Sequence, residues 1–160
     1  MEADDADDAM TLTTETQGTA GAPLSWEDLA DRARAARERA YAPYSRFLVG
    51  AALEAEDGRV FAGCNVENAS YPVGTCAERV ALGHAVVSGA RAFTRIAIVT
   101  SGAVPAPPCG MCRQALAEFG RKLEVMSIGT NGESVVWRLR DLLPANFSLE
   151  RMGAATETGP

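Results

Sequence analysis

Three cysteines stand where chemistry can be done. Cys76 lies in Thr75-Cys76-Ala77-Glu78, and Cys109 and Cys112 lie in Pro108-Cys109-Gly110-Met111-Cys112. Each falls at the start of an expected helix, where free backbone N–H groups and the helix dipole stabilise a thiolate. Three thiolates converging from two helix starts suit a tetrahedral Zn²⁺ with its fourth position open. Glu78 follows the first cysteine by two residues and sits just inside that helix. It can lean over the open position without being a ligand. Zinc lowers the pKa of a water at such a position toward about 7, and a carboxylate moves protons. Together they equip a site for hydrolysis.

Other uses of the cysteines compete with this one. A Cys-x-x-Cys redox pair would leave Cys76 and Glu78 unexplained. A closed structural zinc site is the stronger rival, because the chain has four cysteines and Cys64 could complete a Cys₄ set. Strand parity weighs against that: Cys64 shares a face with Val60, Ala62 and Val66 and is expected to be a small core hydrophobe. Parity alone leaves both zinc readings open. Charge adds a demand, since Zn²⁺ with three thiolates is net negative and needs a cation nearby. Arg79 follows Glu78 and Arg113 follows Cys112, and both are placed to donate to thiolates. The one histidine, His84, lies about 12 Å further along the helix of Cys76. It is expected on the helix surface.

These residues need a scaffold, and the sequence reads as one. Ser25-Trp26-Glu27-Asp28 is a capping-box start. Trp26, Leu29, Ala30, Ala33, Ala36 and Ala40 follow at helical spacing, to about Arg39. Strands are expected over 47–55 and 59–67, joined by the turn Glu56-Asp57-Gly58. Asn65 and Glu67 share a face of the second strand. A loop over 68–75 leads into a helix over 76–88. A strand over 95–101, a proline-rich connector over 104–108 and a helix over 110–119 come next. Strands over 123–128 and 135–137, separated by Asn131-Gly132, precede a short element over 140–144. This order predicts an α/β chain: a three-layer α/β/α sandwich around a mixed sheet of about five strands.

Cys76-Ala77-Glu78 followed by Pro108-Cys109-Gly110-Met111-Cys112 resembles the signature of the zinc nucleoside deaminases. Ser45-Arg46-Phe47-Leu48-Val49-Gly50-Ala51-Ala52 and Gly63-Cys64-Asn65-Val66-Glu67-Asn68-Ala69 sharpen the likeness to the small, homotetrameric cytidine deaminases. It covers about Leu24 to Phe147. The resemblance implies hydrolytic deamination of free cytidine and deoxycytidine to uridine and deoxyuridine plus ammonia, in pyrimidine salvage. It implies one zinc per subunit on Cys76, Cys109 and Cys112, with Glu78 as proton shuttle. It further implies that Asn65 and Glu67 bind the ribose 3′-hydroxyl, that Phe47 stacks near the pyrimidine and that the Ala77 N–H binds the base carbonyl. Ala69 and Tyr71 correspond to positions where a neighbouring subunit reaches the 5′ end of the nucleoside. Phe147 matches the aromatic that family members insert into the next subunit's site. Two departures are visible: Leu48 stands where many members have Pro, and Ser148 where Gly is usual. A deaminase of a related substrate such as blasticidin S is the alternative.

Composition narrows the partners. The chain has 160 residues and a formal charge of -6. Six of its 21 acids (Glu2, Asp4, Asp5, Asp7, Asp8 and Glu15) lie in residues 1–22, which carry no base. The rest balances 15 acids against 15 bases. A neutral body argues against nucleic acid on a basic surface and against a polybasic membrane surface. No apolar run approaches the roughly 20 residues that span a bilayer, and no apolar signal region is apparent. A cytoplasmic location is expected. So is a three-part chain: an acidic disordered tail over 1–22, one domain over 23–150 and a flexible tail over 151–160.

Overall fold

The computed structural model describes residues 24–149, so the expectations for the two tails lie outside the described residues. The elements in order are helix α1 (Trp26–Arg37), strands β1 (Val49–Ala55) and β2 (Val60–Cys64), a 3₁₀ turn (Tyr71–Val73) and helix α2 (Ala77–Val87). Then come strand β3 (Phe93–Thr100), helix α3 (Gly110–Ala117), strands β4 (Glu124–Ile128) and β5 (Ser134–Arg138), and the single turn α4 (Leu139–Leu142). The five strands form one sheet in the order β2-β1-β3-β4-β5. β3 and β4 run parallel, and α3 makes the crossover between them; the other neighbouring pairs are antiparallel. This is the expected mixed five-stranded α/β/α arrangement.

Local chemistry explains the elements. Ser25 caps α1 through the Asp28 amide at 3.1 Å, and the Asp28 carboxylate accepts from the Ser25 amide at 3.2 Å, completing the capping box. α1 lays Leu29, Ala30 and Ala33 on Ala52, Ala97 and Val99 of the central strands. On the opposite face Ala77, Ala81 and Ala85 of α2 and Leu116 of α3 pack on Leu53, Phe61, Ile96 and Val125. Two glycines let helices approach the sheet closely. A Cβ on Gly50 would lie 2.0 Å from the Ala33 carbonyl oxygen of α1. A Cβ on Gly63 would lie 2.4 Å from the Ala81 amide of α2. The Gly63 contact sets the height of α2 over the sheet, and with it the position of Cys76 at the helix start.

Strand β2 corrects one expectation. Its residues alternate as predicted, but the covered face is that of Phe61 and Gly63. Cys64 is half-buried on the other face, at the sheet edge, where its thiol reaches the Arg39 carbonyl at 3.5 Å. It is not a core hydrophobe. The strand also stops at Cys64, and Asn65 to Glu67 continue as a bridge in which Val66 pairs with Tyr41 and Thr75.

Candidate active site and metal centre

Cys76 and Cys109 are the N-cap residues of α2 and α3, and Cys112 is one turn into α3. Neither N-cap side chain makes a capping bond to the backbone of its own helix, so both sulfurs are free to turn toward each other. The three Sγ atoms lie within 4.8 Å of one another, with Cys76–Cys109 at 3.8 Å and Cys109–Cys112 at 3.5 Å. A tetrahedron with Zn–S bonds of about 2.3 Å has S–S edges of about 3.8 Å. The sulfurs therefore stand at zinc spacing. Cys64 is outside this group, so the structure does not bring a Cys₄ set together.

The electrostatics fit the same ion. Hydrogen bonds from the Cys112 thiol, and then from Cys109, outweigh burial and pull Cys76 down to about 6; the Arg79 cation adds to the effect. Cys112 is pushed up, chiefly because it donates to Cys76 and because it is buried. Arg79 donates through Nη2 to the Gly74 carbonyl at 3.1 Å, while its Nε is buried without a partner. The Arg79 guanidinium lowers the Cys76 pKa by its charge and by a hydrogen bond, and a cation so placed is what a Zn²⁺–three-thiolate centre of charge −1 calls for.

Glu78 is 5% exposed. Burial, more than any other cause, raises its pKa; the Cys76 charge acts in the same direction and Arg79 opposes it. A carboxyl so placed changes protonation more readily near neutral pH than an exposed one.

Arg113 departs from expectation. Its Nε donates to the Pro108 carbonyl at 2.7 Å and its Nη1 to the Leu142 carbonyl at 3.0 Å. The guanidinium braces the turn before Cys109 rather than donating to thiolates. Its planar guanidinium carries several donors and can serve two carbonyls at once.

Asn65 and Glu67 both reach the segment between α1 and β1. Asn65 accepts from the Val49 amide and donates to the Phe47 carbonyl, both at 2.8 Å. Glu67 accepts from the Tyr44 amide at 2.9 Å, the Ser45 amide at 3.2 Å and the Ser45 hydroxyl. The Ser45 hydroxyl above all holds Glu67 below the usual carboxylate range. A carboxylate has about four acceptor positions, so Glu67 retains one for an incoming hydroxyl. Tyr44, Ser45, Glu67, Asn68, Tyr71 and Gly74 line a cavity of about 330 Å³, two residues from Cys76. A larger groove of about 660 Å³ lies on the α1 side and shares no residue with it.

The remaining expected site residues fall as follows. Phe47 is 39% exposed and lies against Gly102. Ala77 is buried in the first turn of α2, where helix N–H groups lack intrahelical partners. Ala69 and Tyr71 are exposed, and Tyr71 meets Tyr44 edge-on at 6.1 Å. Phe147 lies on the surface with its backbone bonded to Gln114. His84 is exposed, as expected, with a ring nitrogen 3.3 Å from the Ala62 carbonyl.

Residues 25–128 match the family model for the cytidine and deoxycytidylate deaminase zinc-binding region. The chain belongs to this family. It is accordingly a hydrolytic deaminase with a zinc-binding cysteine cluster. A cytidine deaminase of Sporosarcina psychrophila is 44% identical over 132 residues, covering 82% of this chain and 97% of the relative. One from Mycobacterium tuberculosis is 39% identical over 127 residues, covering 79% and 92%. The crystal structure of the Burkholderia pseudomallei cytidine deaminase superposes with a TM-score of 0.75 at 50% identity, covering 78% of this chain and all of that one.

The isolated position of Cys64 gives a first test. Cys64→Ala is expected to keep a full complement of zinc and wild-type activity, checked by metal analysis beside a turnover assay. Loss of zinc in that variant would return Cys64 to the ligand set.

Proposed function

We propose that this deaminase acts on free cytidine and deoxycytidine, giving uridine and deoxyuridine plus ammonia, and serves pyrimidine salvage. The observation that carries the reading is a buried carboxyl, Glu78, beside three sulfurs at zinc spacing. Bound zinc supplies Lewis acidity that makes water a nucleophile near neutral pH. Cys76, Cys109 and Cys112 hold it, and Arg79 offsets the excess thiolate charge. Glu78 takes a proton from the incoming water and delivers it to N3 of the base. It then carries the second proton to the departing amine. A C4–O bond forms, the C4–N bond breaks, and water's two protons finish on N3 and on ammonia. The Ala77 N–H binds the base carbonyl, Phe47 stacks near the ring, and Asn65 and Glu67 bind the ribose 3′-hydroxyl.

Free nucleoside is favoured over polynucleotide by the neutral body of the chain, which lacks the basic groove a phosphate backbone needs. No helix among the described residues is long and apolar enough to cross a membrane. The four free cysteines suit a reducing compartment, and we place the enzyme in the cytoplasm. Tyr44, Tyr71 and Phe147 are large and at least half exposed, as expected of surfaces that meet other chains. We assign the functional form to a homotetramer in which Ala69, Tyr71 and Phe147 lie where subunits share sites.

An ultraviolet assay of cytidine, deoxycytidine and blasticidin S, with metal analysis of the same sample, tests this. Loss of both cytidine and deoxycytidine, with one zinc per chain, is expected. Zinc-loaded protein that consumes neither nucleoside would overturn the substrate assignment, and consumption of blasticidin S alone would replace it.

A further inference from the structure

The segment after α4 is held by side chains of α3 and the turn that follows it. Besides the Arg113 bond to Leu142, Arg121 donates through Nη2 to the carbonyls of Leu143 at 3.1 Å and Pro144 at 3.2 Å. Gln114 completes the set at Phe147. Its Nε2 donates to the Phe147 carbonyl at 3.0 Å, and its Oε1 accepts from the Phe147 amide at 3.0 Å. The carboxamide thus stands in for a peptide unit of a neighbouring antiparallel strand, exchanging both bonds with one residue. Asn146 Nδ2 reaches the same carbonyl at 3.2 Å.

The result is a contrast at one residue. The backbone of Phe147 is bonded on both sides, yet the residue is 62% exposed. Ordering a surface segment around an aromatic that stays in water costs conformational entropy and gains little burial. The arrangement makes sense where the ring has another surface to meet. Gln114 is two residues beyond Cys112 on the same helix, and Arg113 ties that helix to the turn carrying Cys109. One helix therefore supports two of the three sulfurs and the backbone of Phe147.

We propose that Gln114 is a positioning residue for the reaction: by pairing with both backbone groups of Phe147 it fixes that ring relative to the cysteine-bearing helix, so that the ring can close the base-binding site of a neighbouring copy. This rests on the reading given under Proposed function. Gln114 touches neither the base nor the cysteines in this scheme and acts only through Phe147.

Gln114→Met keeps the length of the side chain and removes both bonds. Its kcat/KM for cytidine is expected to fall about tenfold, the scale of two hydrogen bonds. Zinc content should stay full, and the visible spectrum of the cobalt-substituted protein should match wild type. In a Phe147→Ala background the same substitution should cost less than about twofold, because the ring it positions is gone. Gln114→Glu keeps the acceptor half of the pair and carries the same cycle if the Met variant fails to fold. Unchanged kcat/KM, an equal loss in the Phe147→Ala background, or loss of zinc would each overturn the assignment. The wild-type control separates the two levels. An active wild type with additive losses removes Gln114 alone, whereas a wild type inert on cytidine removes the substrate reading and this inference with it.

Discussion

Glu78→Gln is expected to bind zinc normally and to lose about a thousandfold in kcat, within the range for removing a general acid–base group. The substitution preserves the shape of a side chain that is 5% exposed, so packing around α2 should be unaltered. It leaves Cys76, Cys109 and Cys112 untouched, so the sulfurs keep their spacing. What it removes is a group that can accept and release a proton. Glu78 is suited to that task because burial, reinforced by the Cys76 charge, lifts its pKa from the ordinary carboxylate value. An amide has no titration to offer at any pH where the protein is folded. The decisive measurement is kcat for cytidine beside zinc per chain. Activity near wild type with full zinc would show that another group carries the protons. Loss of zinc would mean that Glu78 helps to hold the metal.

Much of this site was legible in the sequence because its chemistry is local. A cysteine that caps a helix is followed by its own helix signal, and Cys76-Ala77-Glu78 puts ligand and carboxyl in one turn. The capping box at Ser25 and the turns at Gly58 and Gly132, both with positive φ, are equally local. The misses share a different character. In Val60-Phe61-Ala62-Gly63-Cys64 every residue is apolar or small, so alternation alone could not identify the covered face. The close approach of α2 at Gly63 decides it, and that is a tertiary fact. Arg113 follows a cysteine in sequence, but its partners include the Leu142 carbonyl, 29 residues away. Nothing in the sequence around Gln114 marks it, because its partner, Phe147, lies 33 residues on. Glu54 is unmarked for a similar reason: one acid near the end of an apolar strand gives no hint of its partner.

That partner is Arg95, and the pair carries the second large prediction. Glu54 is 2% exposed and sits on β1. Arg95 on β3 donates to it through Nε at 2.7 Å and through Nη2 at 2.8 Å, a two-pronged contact between neighbouring strands. The same guanidinium bonds the Leu24 carbonyl at 2.6 Å and lies 5.0 Å over the Trp26 ring. The Leu24 amide returns to Glu54 at 3.2 Å. The pair thus clamps the start of α1 onto the sheet. Burial pushes the Glu54 carboxyl up, but the hydrogen bonds from Arg95 and Thr94, the Arg95 charge and the Leu24 amide together hold it below the usual range. A carboxyl depressed in the folded state stabilises above its unfolded pKa, and that contribution is lost as pH falls through the folded value. Arg95→Met strands Glu54 as an unpaired buried charge, at a cost of about 3–5 kcal/mol near neutral pH. Without Arg95, burial prevails and the folded pKa of Glu54 rises above the unfolded one. The variant then regains stability as pH falls, by taking up a proton. Urea unfolding at about pH 7.5 and about pH 5 should therefore show the gap to wild type narrowing at the lower pH. Replacing both partners, Glu54→Leu with Arg95→Met, should recover most of the loss, because no charge is left uncompensated. A gap that is small, or that does not change with pH, would show that the clamp holds α1 by packing rather than by charge.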